Sequence, residues 1–455
     1  MKNVVAAGHE VTARAVQETI QKGGNAFDGA VAGVFTSMIA ESTLTSAGGG
    51  GCLLAKPAGS DPILFDFFVD MPSGRPGETM EFFPIEVDFG PTTQEFHVGR
   101  GATAVPGSVA GLVTVNERLG RLPLSEVLKP AIQAAEQGVV LGPGQAYLIK
   151  ILAPILTREP LGREVYTPQG RLPRASDRLA MPEFARFLER LGEEGSDYLY
   201  RNDGARRILE WSKVAGGLIT LEDLAGYKVI ERRPLHCRFA GCDVFLNPPP
   251  AQSGWLIEIV LSLLEETAGK KRRPGLGELI SAMALANEIR FTHSSDGLSV
   301  DGPLPFSRRP EFRSYVHRYL ERLPAAPPAA CEGRGSTTQL SVIDREGNAA
   351  SVTTTNGEGC GAFVPGLGFM PNNMLGEQDL NPAGVHRYAP GSRLSTMLAP
   401  TIVTREGEPV LVTGSAGSNR IRSVVVQLLV NVLDRGMSLA EATAAPRIHL
   451  EGDLL

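Results

Sequence analysis

Thr337 heads the run Thr337-Thr338-Gln339-Leu340-Ser341-Val342-Ile343, directly after Gly333-Arg334-Gly335-Ser336. A threonine hydroxyl within a chain is a weak nucleophile. A cut just before it would free an α-amine beside the hydroxyl, a base with a pKa of roughly 7.7–8.0 that is half-deprotonated near neutral pH. On these residues alone, a Ser/Thr-rich strand start is the commoner meaning. The next segment supplies a partner. Asp344-Arg345-Glu346-Gly347 separates two strand-like runs, and a three-residue loop at 345–347 with Gly in the left-handed position is a favoured hairpin connection. That loop pairs 344 with 348 and sets Thr355 opposite Thr337; a shift of one residue would bring Asn356 there instead. Further on, Gly414-Ser415-Ala416-Gly417-Ser418-Asn419 joins a strand to a helix. Free backbone N–H groups at the positive end of a helix can hold the oxyanion of an acyl transfer.

The elements that must position these residues alternate along the chain. Residues 10–22 read as a helix ending at Gly23-Gly24, and a second helix carries Phe27, Ala30, Val31, Val34, Phe35, Met38 and Ile39 on one stripe. Gly48–Gly51 then leads into a strand at Leu53-Leu54-Ala55 and reads as backbone passing close beside the active site. Residues 105–300 read as mostly helical, with helices from Ser108 to Leu119, Leu124 to Glu136, Glu183 to Leu191 and Ala205 to Ser212, and at about 253–267 and 278–291. Residues 303–334 form a Pro/Arg/Ala-rich connector with a short helix near 312–323. The last stretch reads hairpin, loop, hairpin, helix; its second hairpin, 400–413, turns through Arg405-Glu406-Gly407, and Ile421, Val424, Val425, Leu428, Leu429 and Val432 stripe the final helix.

Bulk properties bound the function. With 455 residues, 42% apolar and 21% charged, and a net charge of −6, the chain is a globular protein of one large layered unit or two to three domains. That acidic balance argues against nucleic acid as partner. No stretch approaches the ~18 apolar residues of a membrane span, and the N-terminal apolar run is too short for a secretory signal, so no membrane partner and a cytoplasmic location are expected. Cys52, Cys237, Cys242, Cys331 and Cys360 show neither a disulfide framework nor zinc spacing, and no metal or cofactor is expected. His9, His97, His236, His293, His317, His386 and His449 lie in unrelated contexts that suit capping or surface roles. Without a Gly-x-Ser-x-Gly elbow, a Ser–His–Asp hydrolase is not indicated. Nor is there a Gly-x-Gly-x-x-Gly or Gly-Lys-Ser/Thr nucleotide loop.

Taken in order, the segments resemble the γ-glutamyltranspeptidase family of N-terminal-nucleophile hydrolases. The resemblance rests on Lys22-Gly23-Gly24-Asn25-Ala26-Phe27-Asp28, Gly48–Gly51, Val105-Pro106-Gly107-Ser108, Gly216-Gly217-Leu218-Ile219-Thr220, and Asn247-Pro248-Pro249-Pro250. It continues through Thr337-Thr338, Arg393-Leu394-Ser395-Thr396-Met397, Gly414-Ser415-Ala416-Gly417 and Ala445-Pro446-Arg447. The family usually continues further beyond that last motif, so a short member or a fragment is expected. The resemblance implies an α+β fold, a four-layer αββα sandwich with a largely helical middle region. It implies self-cleavage between Ser336 and Thr337, giving fragments 1–336 and 337–455 that stay associated, with a dimer of such heterodimers as a further expectation. Thr355 matches the family's second threonine, which hydrogen-bonds the nucleophile. Gly417 matches the first oxyanion glycine, and Ser418 stands where the second is expected. Ser395 and Thr396 match a Ser-Ser pair that contacts the acyl group.

The chain departs from the family where substrate is recognised. Phe68, in Asp66-Phe67-Phe68, stands where the family has an arginine that clamps the substrate α-carboxylate, and phenyl cannot replace a bidentate guanidinium. The family's Asp-Asp-Phe, which binds the α-amine, is altered in Asn372-Asn373-Met374-Leu375-Gly376-Glu377-Gln378-Asp379; Glu377 is the nearest carboxylate and Asp379 the fallback. The asparagine that orients the nucleophile's amine falls at Gly357, with Asn356 one position early. Gln339 stands where histidine is common. The leading expectation is an autoprocessing N-terminal-threonine amidase acting on γ-glutamyl amides such as glutathione, with water or an amine as acceptor. The alternatives are the same chemistry on another acyl amide, oxamate-like or an acylated β-lactam, and an inactive binding protein.

Overall fold

The computed structural model describes residues 2–88, 93–268, 274–294, 306–321, 337–381 and 384–451. Ser336 and Cys331, with most of the expected connector at 303–334, lie outside the described residues. In chain order the elements that build the sandwich are β1 (Val4–Ala6), α1 (Glu10–Gln21), α2 (Ala26–Ala40), β2 (Gly50–Lys56), β3 (Ile63–Phe67), β4 (Phe83–Asp88), β5 (Thr93–Val98), β6 (Ile230–Arg232), β7 (Leu235–Phe239) and β8 (Cys242–Leu246). They continue as α3 (Gln252–Ala268), α4 (Leu276–Ser294), β9 (Thr338–Ile343), β10 (Ala349–Thr355), β11 (Thr401–Arg405), β12 (Glu408–Thr413) and α5 (Arg420–Leu429).

Two antiparallel sheets lie face to face. The first runs β1-β9-β10-β2-β3-β6 and the second β12-β11-β8-β7. α1 and α2 cover the outer face of the first sheet, and α3, α4 and α5 cover the second, so the order of layers is αββα. Strand alternation explains this layering. In β2, Leu53 and Ala55 join the core under α2, while Cys52 and Leu54 join the core between the sheets. Every residue of α2 is buried, rather than only the expected stripe. It is sandwiched between the sheet, α1 and neighbouring helices, the setting in which a helix is apolar all round. Its start is fixed by Asn25, which accepts from the N–H groups of Phe27 and Asp28 while Asp28 accepts from that of Asn25.

The expected hairpin around 345–347 forms in the register read from its turn, with Thr338 opposite Thr354 and Ile343 opposite Ala349. Gly347 takes φ 88, the left-handed residue that a three-residue loop requires. The second hairpin differs. Its loop is only Glu406-Gly407, both at positive φ (54 and 85), and Arg405 pairs with Glu408. The ladder then slips between Val403 and Thr404, opposite Pro409, which has no N–H to donate. Residues 105–300 are less purely helical than expected, since β6, β7 and β8 lie inside that stretch and complete both sheets. The helix expected from Leu124 to Glu136 is broken in two at Leu128, ahead of Pro130.

Candidate active site

The site forms at one end of the gap between the sheets. Along β9, Leu340 and Val342 face α2, whereas the Gln339 amide reaches the hydroxyls of Ser341 and Ser351 toward the second sheet. Ser351 in turn donates to the carbonyl of Thr413, tying the sheets together at 2.8 Å. Period-two alternation therefore directs Thr337 and Thr355 to the inter-sheet side. Both are buried, and both line a cavity of about 440 Å³, within the range of small-molecule sites. The Thr355 hydroxyl accepts from the N–H of Gly357 at 3.1 Å, which fixes its orientation.

Glycines let the backbone close around these residues. A side chain on Gly49 would strike the carbonyl oxygen of Thr355, and one on Gly48 would lie 2.6 Å from the Cα of Pro371. The Gly49 carbonyl also accepts from the N–H groups of Gly107 and Ser108, at 2.9 and 3.1 Å. The close-approach reading of this run holds, and the matter approached is the end of β10.

The strand-to-helix turn after β12 reaches the same cavity. Gly417 takes φ 122 and Ser418 φ 49, so the serine occupies a left-handed position that glycine would fill without strain. For a non-glycine residue that costs about 1–2 kcal/mol. A bond from Ser418 Oγ to Asp379 Oδ2 at 2.6 Å offsets part of this and ties the turn to the opposite wall. Among the described residues, the N–H groups of Gly417 and Ser418 have no protein acceptor. Two such donors on the cavity that Thr337 also lines are groups able to stabilise a tetrahedral oxyanion.

The remaining wall is acidic and apolar. Glu377 is partly buried, with Oε1 sealed from solvent and unpaired, and its pKa is pushed well up by loss of solvent, then by the nearby Glu358 and Asp379 carboxylates. Gly357, at φ 58, has no room for a side chain, because the side-chain oxygens of Asn373 and Glu377 fill that space. This explains why asparagine is missing at that position. Phe68 lines the cavity from the inter-sheet core, where the family's arginine is expected. The nearby Arg393 cannot stand in for that arginine, since Asp66 and Asp70 hold it at 2.8 and 2.6 Å.

Of the site residues expected from sequence, Thr337, Thr355, Glu377, Asp379, Thr396, Gly417 and Ser418 share the cavity. Ser395 and Asn356 do not line it. Ser395 Oγ accepts from Gln252 at 3.0 Å, and Asn356 turns its amide to the carbonyl of Met370 at 3.2 Å. No histidine lines the cavity; His9 caps α1 instead. No group of three metal-binding side chains occurs among the described residues. Sequence reasoning missed the contribution of β5, whose Thr93, Gln94, Glu95 and Phe96 form part of the wall, and that of Glu358 and Arg420. Alternation in Phe83-Pro84-Ile85-Glu86-Val87-Asp88 was the available signal for the hairpin that carries β5.

On the far side of β9, Thr338 donates to Glu41 Oε1 at 3.0 Å. Burial raises the Glu41 pKa from 4.5 to about 7, partly opposed by that bond. The folded state therefore binds this proton more tightly than the unfolded chain. The stability it contributes is complete below pH 4.5 and is lost as pH rises through about 7. Glu41→Gln keeps a neutral acceptor for Thr338. Its unfolding free energy is expected to be flatter over this window, leaving it more stable than wild type at pH 8 by on the order of 3 kcal/mol. Denaturant titrations at pH 5 and pH 8 check this; parallel wild-type and variant profiles would contradict it.

Comparison with known proteins places the chain in a family. The pattern of the family described as Gamma-glutamyltranspeptidase matches residues 12–453. The chain is 31% identical over 469 aligned positions to the Acylase ACY 1 proenzyme of Pseudomonas sp. (strain SE83), covering 100% of this chain and 83% of the relative. It is 29% identical to the Glutathione hydrolase proenzyme of Escherichia coli (strain K12), covering 95% and 78%. Among solved structures, the cephalosporin acylase from Bacillus halodurans superposes with a TM-score of 0.78 at 24% identity, covering 98% of this chain and 83% of that one.

Proposed function

The chain belongs to the γ-glutamyltranspeptidase family, and on that premise we propose that it is a proenzyme that cuts itself between Ser336 and Thr337 and then acts as an N-terminal-threonine amidohydrolase. In the first step Thr337 Oγ attacks the carbonyl carbon of residue 336. The peptide C–N bond breaks, which frees the Thr337 α-amine and leaves residue 336 as an ester on Oγ; water then hydrolyses that ester to the residue-336 carboxylate and the Thr337 hydroxyl. In turnover that amine takes the hydroxyl proton as Oγ adds to the substrate amide. The oxyanion sits on the N–H groups of Gly417 and Ser418, and the proton passes to the departing amine. Water or another amine then resolves the acyl ester. Thr355, held by Gly357, orients the Thr337 hydroxyl. The observation that carries this reading is the meeting of Thr337, Thr355 and the Gly417-Ser418 turn on one cavity.

The wall favours an acyl donor without the α-amino acid head of a γ-glutamyl group. Phe68 offers no cation to an α-carboxylate, and loss of solvent with the neighbouring Glu358 and Asp379 carboxylates works against the charged form of Glu377, which weakens it as a counter-charge for an α-ammonium. The second reading, a γ-glutamyl amide such as glutathione, draws on Asp379, which also lines the cavity. Steady-state kinetics with γ-glutamyl-p-nitroanilide beside glutaryl- and valeryl-p-nitroanilide separates the two. At least one donor lacking the amine is expected to exceed the γ-glutamyl donor in kcat/KM, by on the order of 10-fold. Turnover dominated by the γ-glutamyl donor would replace the first reading with the second.

A further inference from the structure

We propose that Arg420 is a substrate-carboxylate anchor, doing from the oxyanion turn what the arginine absent at Phe68 does elsewhere in the family. This deepens the reading of the site as an acyl-transfer cavity and rests on it. Arg420 is the only Lys or Arg among the described residues lining the cavity, against four carboxyl side chains. Its guanidinium lies alongside Gly417: a Cβ built there would sit 3.5 Å from Nη2 and 3.6 Å from Nε. Apart from a long 3.5 Å approach of Nε to the Gly417 carbonyl, its side chain meets no protein acceptor among the described residues.

Other sheltered arginines of this fold are neutralised. Arg100 is held by Glu81 and Glu159, Arg393 by Asp66 and Asp70, and Arg422 by Glu451. Arg420 is half-buried, and loss of solvent lowers its pKa with no carboxylate opposing the shift. It also opens α5, the end of a helix where the macrodipole disfavours a cation, and no acidic residue accompanies it in that turn. A guanidinium kept half-desolvated, uncompensated and at the unfavourable helix end destabilises the empty site. A bound carboxylate relieves all three costs at once, since the guanidinium fork matches its two oxygens.

The carboxylate could belong to the acyl chain or to the departing amine, and two matched substrate pairs distinguish them. Glutaryl- and valeryl-p-nitroanilide share a five-carbon acyl chain and differ by the terminal carboxylate. Valeryl-p-nitroanilide and its analogue with 5-amino-2-nitrobenzoate as leaving group differ only on the amine side. Wild type is expected to prefer the carboxylate-bearing member of one pair by about 10–100-fold in kcat/KM, mostly through KM. In Arg420→Gln that preference disappears, and Arg420→Lys restores part of it. If Arg420→Gln does not process, competitive inhibition of the wild-type enzyme reads the same contrasts, glutarate against valerate for the acyl side and 5-amino-2-nitrobenzoate against p-nitroaniline for the amine side. Three outcomes overturn the proposal: no wild-type preference in either substrate pair, no preference for the carboxylate-bearing inhibitor on either the acyl or the amine side, or an Arg420→Gln loss in kcat equal for both members. The third would make the guanidinium a support of the oxyanion turn. An acyl adduct on Thr337 from valeryl-p-nitroanilide keeps the acyl-transfer reading standing even then, whereas absence of turnover with every amide would sink both.

Discussion

Purified Thr337→Ala protein is expected to run as one intact chain on a denaturing gel, while wild type gives two fragments meeting at Ser336 and Thr337. Amide turnover should fall by on the order of 10⁴-fold or more, the scale on which removal of a nucleophile acts. The substitution deletes Oγ and its methyl group and leaves the rest of β9 and β10 in register. Without Oγ no ester forms at residue 336, so the α-amine stays locked in a peptide bond and cannot serve as base. One change thus removes nucleophile and base together. Thr337→Ser retains the hydroxyl and should still cut, more slowly. Thermal unfolding of Thr337→Ala close to that of wild type distinguishes a chemical defect from a folding one, since the lost contacts amount to about 1 kcal/mol. A Thr337→Ala chain that still cuts before residue 337 would remove the basis for the proposed chemistry.

Gly49→Ala is expected to be strongly damaging near the site, with no functional group lost at all. The added methyl would collide with the carbonyl of Thr355, which is backbone and cannot rotate away. Relief requires moving the end of β10 or breaking the bonds that the Gly49 carbonyl accepts from Gly107 and Ser108. Overpacking of this kind costs about 1–3 kcal/mol, occasionally more. Any shift of Thr355 also misplaces the hydroxyl expected to orient Thr337, and a 1 Å displacement can cost about 100-fold in rate. Denaturant unfolding and the rate of fragment appearance should therefore both worsen. Unchanged stability with unchanged processing would show that the backbone there has more room than the geometry gives it.

Much of this was legible in the sequence, for local reasons. A Gly at the third loop position dictates the first hairpin, and the hairpin dictates that Thr355 faces Thr337. The Gly48–Gly51 run marked a close backbone approach before its neighbour was known. The second hairpin was misjudged because Arg-Glu-Gly suits both a three-residue loop and a two-residue loop with Glu406 at positive φ, and Pro409 shifted the ladder. The strands β6 to β8 were submerged in a stretch read as helical, because each is only three to five residues long. The motif Ser395-Thr396 identified one cavity residue and one that turns to Gln252. Arg420 went unnoticed because an arginine opening a helix carries no signal until its surroundings show that nothing neutralises it.

The central claim is that Thr337 carries the acyl group. Its most direct test is to mix processed enzyme with glutaryl- or valeryl-p-nitroanilide, quench in acid within the first turnover, and measure the mass of the fragment 337–455 with its peptide map. The account predicts a gain equal to one acyl group, as an ester on Thr337 Oγ, that decays when substrate is exhausted. Steady p-nitroaniline release with the acyl mass on another residue, or on neither fragment, would contradict it.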